Sequence, residues 1–240
     1  MSRTMLSLAL ALLAGTASAE GQWTVGGAGI GATGIYVGEE NTASFAPVII
    51  YDTEKFHIGL DGLSYQVFDY GLSQVDVALG YRGAPAFPDK DPLFEGLKRD
   101  DAVELGLSIQ LEFGNAYVGI GALTDISDGH GGTEADFNIG YIMNVGNLQV
   151  DTALGARYRD AALNQYLFGV TEAEATAIRP AYAAKYTTTA FANVTVAYPI
   201  TDTITAMGQI GCEDLGDNQD CPLVEQASST SIGLGVIWTF

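Results

Sequence analysis

The chain is 240 residues long, 48% hydrophobic and only 16% charged, with ten Lys and Arg against 29 Asp and Glu and a formal net charge of -19. Acidity on this scale repels phosphate backbones and excludes nucleic acid as a natural partner. Beyond the first residues no apolar run approaches the roughly 20 residues of a membrane helix, so the hydrophobic side chains must be spread by alternation.

In chain order, "MSRTMLSLALALLAGTASA" carries a basic start at Arg3, an apolar run through Leu13 and the small-residue exit Ala17, Ser18, Ala19. This is the pattern of a secretory leader cut before Glu20. Residues 1–19 are therefore assigned to a signal peptide and residues 20–240 to one domain. "WTVGGAGIGATGIYVG" is a Gly-broken strand candidate, and "PVII" at residues 47–50 is the longest aliphatic run after the leader. "KFHIGLDGLSYQVFDYG" reads either as one long kinked strand or as two short ones meeting at Asp61 and Gly62.

From there the alternation is regular. "SQVDVALGYR" sets Val75, Val77, Leu79 and Tyr81 against Gln74, Asp76 and Arg82, and "DAVELGLSIQLEF" sets Val103, Leu105, Leu107, Ile109, Leu111 and Phe113 against Glu104, Ser108, Gln110 and Glu112. Side chains on a strand alternate between faces, so one face of each segment is oily and the other wet. Gly114-Asn115 and Gly146-Asn147 read as tight turns. Between them "ADFNIGYIMNV" repeats the pattern, and "LQVDTALGARYRD" follows with Asp151, Arg157 and Arg159 on its wet face.

Three segments interrupt the strands. "TDISDGHGGTEAD" gathers His130 with Asp125, Ser127, Asp128, Glu134 and Asp136. These residue types make ordinary turns. They also supply a nucleophile and base, Ser127 and His130, for lipid chemistry, or carboxylates for calcium, although the spacing is not that of an EF-hand. The turn reading is preferred, and no catalytic, metal or cofactor site is assigned. "NQYLFGVTEAEATAIRPAYA" holds a capping box at Thr171 and Glu174, helix formers at Ala173, Ala175 and Ala177, and a stop at Pro180. The spacing predicts a helix over residues 171–178, acting as a plug or partner-binding element or simply packing a long loop. Cys212 and Cys221 bracket "EDLGDNQD"; in an exported chain a disulfide is expected to staple that loop, and neither cysteine has the His or CxxC neighbour of a metal site.

"YTTTAFANVTVAY", a turn at Thr201-Asp202 and "TITAMGQIG" lead to "SSTSIGLGVIWTF", which alternates up to a terminal Phe240. Two architectures fit such strands, a soluble sandwich and a membrane barrel. The wet faces hold Gly, Ala, Ser, Gln, Asn and charges of both signs, as suits a lumen, while Tyr81, Phe113, Tyr158, Tyr186 and Tyr198 fall at strand ends, as suits interfacial girdles. The expectation is an all-β, transmembrane, antiparallel up-and-down barrel of twelve strands, with ten as the alternative count, and a short helix in one long loop. Asp76, Arg82, Glu104, Glu112, Asp151, Arg157 and Arg159 become lumen charges that pair to fill the bore or set ion selectivity.

Four stretches carry a resemblance. "NQYLFGVTEAEATAIRPAY", "FEGLKRDDAVELGL", "TDISDGHGG" and "CPLVEQASSTSIGLGVIWTF" are similar, in order and spacing, to segments of the MipA/OmpV family of outer-membrane proteins. The resemblance implies an outer-membrane barrel of a Gram-negative cell, surrounded by outer-membrane lipid. It implies a scaffold joining a peptidoglycan hydrolase to a synthase, a plug or partner loop at Tyr166, Gly169, Val170, Thr171, Glu174 and Tyr182, and no catalytic residues. The terminal Val236, Trp238 and Phe240 resemble the signal that the outer-membrane assembly machinery reads. Cys221 stands where the family pattern has Ser, so the disulfide would be particular to this chain. A small-solute channel and a lipid-modifying enzyme using Ser127 and His130 are the alternative functions.

Overall fold

A computed structural model describes residues 21–88 and 90–240; the leader assigned to residues 1–19 lies outside the described residues. Twelve strands succeed one another: β1 (Gln22–Ala32), β2 (Thr42–Asp52), β3 (Phe56–Gly59), β4 (Gly62–Tyr70), β5 (Ser73–Arg82), β6 (Ala102–Phe113), β7 (Ala116–Asp125), β8 (Thr133–Val145), β9 (Leu148–Arg159), β10 (Thr187–Pro199), β11 (Ile204–Asp214) and β12 (Ser228–Thr239). Each pairs antiparallel with its sequence neighbours, and β12 closes onto β1. The segment around Asp61 and Gly62 is two strands, which makes the count twelve.

Which side is greasy decides the class of all-β fold. On β6, Val103 and Leu105 are 39% and 42% exposed, whereas Glu104 between them is 0% exposed. A sandwich hides its aliphatic face and wets its charges; here the aliphatic face is outermost and the charge is enclosed. The same inversion holds on β12, where Ile232, Leu234, Val236 and Trp238 all lie exposed while Ile237 is buried. A continuous apolar exterior of this kind requires lipid as its solvent.

Closure removes the strand edges that hydrocarbon cannot satisfy. The Trp23 N–H donates to the Phe240 carbonyl at 3.2 Å and the Phe240 N–H to the Trp23 carbonyl at 2.9 Å, so the terminal aromatic lies in the wall as the last rung of the β12–β1 seam. Trp238 and Phe240 meet in a tilted pair at 4.7 Å, and Trp23 meets Tyr51 at 4.7 Å, forming a girdle at the end with the short turns. Tyr158 and Tyr186 meet at 6.2 Å at the opposite end. Gly114 and Gly146 hold φ of 67° and 62°, the left-handed conformation that these two short hairpins need.

All long connections lie at the other end, and there the helix is not where the capping box puts it. The helix α1 spans Ala161–Phe168. Asp160 caps it, accepting from the Leu163 N–H at 2.9 Å. The capping box at Thr171 and Glu174 does close, with the Thr171 N–H and hydroxyl donating to the Glu174 carboxylate at 2.9 and 2.8 Å. No helix grows from it, because the Arg179 guanidinium occupies the Glu174 carbonyl at 2.6 and 3.0 Å, the acceptor that the next helical turn would use.

Candidate functional site

Beneath the long connections, inward residues of β5, β6, β8, β9 and β11 meet in a charged layer. Arg82 lies 2.8 Å from Glu104 and 3.5 Å from Glu134. Arg159 lies 2.7 Å from Glu134 and 2.6 Å from Glu213, and Arg157 lies 2.5 Å from Glu213 and 3.7 Å from Glu134. His130 adds a contact to Glu104 at 3.0 Å. Three guanidinium groups thus balance three carboxylates inside the wall. The register forces the arrangement: Glu134 stands directly opposite Arg159 across β8 and β9, and Arg157 opposite Asp136. Unpaired, any of these groups would be prohibitively costly away from bulk water. The Arg157 side chain also stacks on the Phe191 ring at 4.9 Å.

Above this layer the connections fold into an apolar plug. Ile35, Tyr36, Phe94, Leu97, Phe168, Val170, Leu215, Cys221, Leu223 and Val224 form one buried cluster, to which four of the long connections contribute. Polar pins hold it. Arg99 donates to the carbonyls of Tyr166 and Gly169, each at 2.9 Å, and to the Glu174 carboxylate at 2.7 Å. Arg179 donates to the Leu93 carbonyl at 2.6 Å. The Tyr36 hydroxyl donates to Leu167 O at 3.0 Å and the Tyr166 hydroxyl to Asp100 O at 2.8 Å. Asn164, wholly buried, donates to Lys185 O and Thr187 Oγ1 and accepts from Asn218. Burial pushes the Tyr166 hydroxyl up to about 12 and raises that of Tyr36 further, so both remain donors at any physiological pH. For Glu174, burial raises the pKa, but the Arg99 and Thr171 hydrogen bonds outweigh it and hold the carboxyl at about 2. A cavity of about 180 Å³ remains between plug and layer, lined by Tyr36, Arg82, Arg157, Phe168, Phe191 and Gln209 among others.

A profile described as MltA-interacting protein MipA matches residues 25–240. The chain belongs to the MipA family. Curated relatives agree: Outer membrane protein Omp26La of Vibrio anguillarum and Outer membrane protein OmpV of Vibrio cholerae serotype O1 are each 27% identical over 225 residues, covering 92% of this chain and 88% of the relative. Among solved structures, the COG4313 outer membrane channel from Pseudomonas putida F1 aligns with a TM-score of 0.45 and 10% identity, over 92% of this chain and 95% of that one. Like its relatives, this MipA-family chain is an outer-membrane protein of a Gram-negative bacterium.

Set against that framework, the sequence-predicted residues divide. Arg82, Glu104, Arg157 and Arg159 form the charged layer. Asp76, Glu112 and Asp151 do not reach it: Asp76 accepts from Gln74 at 2.9 Å, Glu112 from Gln110 at 3.1 Å and Asp151 from Tyr117 at 3.1 Å, all lower in the lumen. Asp76 sits six residues below Arg82 on the same strand, about 20 Å at 3.3 Å per residue. Glu134 and Glu213 were missed as layer members, although strand alternation carried into "GGTEAD" and "GCED" places both on wet faces. Tyr166, Gly169, Val170 and Tyr182 do join the plug, Val170 and Tyr182 as a β-bridge.

Two readings are corrected. Ser127 and His130 form no dyad: the Ser127 hydroxyl donates to Asp125 at 2.9 Å, while His130 contacts Glu104 through Nε2 and accepts the Gly132 N–H at Nδ1, 3.0 Å each. Both ring nitrogens are committed, so the imidazole has no free base for a serine. The cysteines are free thiols, not a disulfide. Cys212 is exposed on the outward face of β11 in phase with Ile210, whereas Cys221 is buried in the plug with its thiol donating to Phe168 O at 2.8 Å. The wall lies between them.

Proposed function

We propose that the protein is a non-conducting anchor in the outer membrane which binds a peptidoglycan-remodelling enzyme at its periplasmic rim and carries out no chemistry of its own. The observation behind this reading is the filled mouth: an apolar plug from the long connections rests on a balanced Arg–Glu layer, with a cavity of about 180 Å³ left between them. A barrel built for small-solute traffic would leave that path wet. The partner is inferred from the family's name, which states an interaction with MltA, a peptidoglycan enzyme; a hydrolase bridged to a synthase is the fuller form of the same reading. The rim presents only short turns, whereas a stable interface buries ~800 Å² per partner, so the complex is expected to be weak or to recruit the partner's lipid-proximal surface. Planar-bilayer recording of the purified barrel should give no conductance steps, and cross-linking from a photoreactive residue at Asn115 or Asn147 should capture a peptidoglycan hydrolase from cell envelopes. Stable conductance with no captured enzyme would replace the anchor by the channel.

A further inference from the structure

Four neighbouring strands leave a hollow in the lumen just under the plug. Asn193, Gly211, Ser231 and Ala32 stand in one row across β10, β11, β12 and β1, and all four line the cavity of about 180 Å³. The row is hollow because its centre has no side chain. A methyl group on Gly211 would lie 2.5 Å from Asn193 Oδ1 and 3.1 Å from Ser231 Oγ, so the two polar groups converge over bare backbone. The next inward row toward the plug is Phe191, Glu213 and Ser229, and the Arg157 guanidinium covers the Phe191 ring.

Size, charge and unspent hydrogen bonds set what this hollow can hold. A cavity of ~150 Å³ accepts one benzene, so about 180 Å³ has room for a single six-membered ring with small substituents. Arg82, Arg157 and Arg159 are already matched by Glu104, Glu134 and Glu213. An ion entering here would leave water without a counter-charge, so the occupant is neutral. Arg157 Nε, a donor, and Gln209 Oε1, an acceptor, are buried with no partner among the described residues, and both residues line the cavity. A hydrocarbon would leave both groups unpaired. The Ser229 and Ser231 hydroxyls serve as donor or acceptor. These polar side chains come from four successive strands, β9 to β12, so they meet an occupant along an arc of its edge rather than at one point. The plug side is apolar, with Leu167, Phe168 and Leu215.

We propose that this cavity is a binding site for one neutral monosaccharide of hexose size. A pyranose has a single ring and no charge, hydroxyls around its edge that both donate and accept, and C–H faces that pack on apolar side chains. Its edge meets Arg157, Asn193, Gln209 and Ser231, and one C–H face meets Leu167 and Phe168. An aromatic amide would satisfy polar groups at one end only, and a sugar acid would bring the charge that the layer has no partner for. Water, the other occupant that such groups accept, is an outcome of the test. The inference is independent of the anchor function, because it concerns a molecule held between plug and layer and not passage along the axis.

The test uses the full barrel in nanodiscs and equilibrium dialysis against radiolabelled D-glucose, D-galactose and D-mannose, with D-glucuronate as the charged control and cyclohexanol as the control with a single hydroxyl. At least one hexose should bind saturably, one molecule per barrel, and roughly tenfold or more tightly than either control. Gly211→Val, which fills the hollow, and Gln209→Leu, which removes the idle acceptor, should each weaken binding several-fold; Ser231→Val takes the place of Gly211→Val should that variant not acquire the folded gel mobility. Asp76→Asn, lower in the lumen, should leave binding unchanged. Absence of saturable binding by all three hexoses, the result expected if water alone fills the cavity, would overturn the proposal. Glucuronate binding as tightly as the hexoses, or hexose binding that survives both cavity substitutions, would overturn it equally.

Discussion

Replacing Glu134 by Gln tests whether charge balance in the layer holds the upper barrel together. Glu134 is the carboxylate that touches all three guanidinium groups, at 2.7 Å to Arg159, 3.5 Å to Arg82 and 3.7 Å to Arg157, with its side chain 13% exposed. Glutamine keeps the shape and still accepts one hydrogen bond, so the perturbation is the lost charge and the surplus guanidinium it strands. Breaking a buried pair costs about 3–5 kcal/mol. With shape and one hydrogen bond retained, the lower end, about 3 kcal/mol, is expected, roughly a hundredfold in the folding equilibrium. Urea titration of the barrel folded in lipid vesicles, followed by the gel-mobility shift of folded barrels, reads this directly. Asp76→Asn is the control, because Asp76 meets only Gln74 and its loss should cost about 0.5 kcal/mol or less. Adding Arg157→Gln to Glu134→Gln leaves Arg82 with Glu104 and Arg159 with Glu213 and should recover a large part of the loss. If Glu134→Gln unfolds at the same urea concentration as Asp76→Asn, balance in the layer is not what stabilises the upper barrel.

The plug makes further predictions. Arg99→Ala removes the pin on Tyr166, Gly169 and Glu174, and should make residues 160–186 protease-sensitive and produce conductance bursts in planar bilayers where the unaltered barrel is silent. The Glu174 carboxyl is depressed from 4.5 to about 2, so its contribution to loop order is complete above about pH 5 and is lost as pH falls toward 2; protease sensitivity of the same loop after brief acid exposure should follow that window, and Glu174→Gln should remove the dependence. Burial raises the Cys221 thiol to about 11, so maleimide should leave it unmodified in the folded barrel and label it after unfolding, with no mobility change on reduction at any stage. Deleting Phe240 removes the last rung of the β12–β1 seam and should slow assembly of the barrel into vesicles, measured as the delay in acquiring the folded gel mobility.

The strands were legible because their code is local. A period of two, as in Val103 to Phe113, needs no information from elsewhere in the chain, and glycine turns at Gly114 and Gly146 set the hairpins. The helix was legible too but was read in the wrong place: Asp160 ahead of Ala161, Ala162 and Leu163 is a cap followed by helix formers, whereas Thr171 and Glu174 make a cap whose next acceptor is taken by Arg179, five residues on and itself anchored to the carbonyls of Leu93 and Glu95 in another loop. No local rule reports that Arg179 will reach back to the Glu174 carbonyl.

The alternating pattern by itself settled that this is an all-β chain whose strands carry one oily and one polar face, because side-chain direction on a strand is fixed by the peptide geometry of that strand alone; that the oily face is the outer one was decided by closure of the barrel. Which inward charges meet was decided only in three dimensions. Glu134 and Arg159 are 25 residues apart in sequence and Arg157 and Glu213 are 56 apart, and their juxtaposition depends on the stagger of every intervening hairpin around the ring. The plug and the separation of the two thiols belong to the same class: each depends on which connections are brought together at one end when the barrel closes.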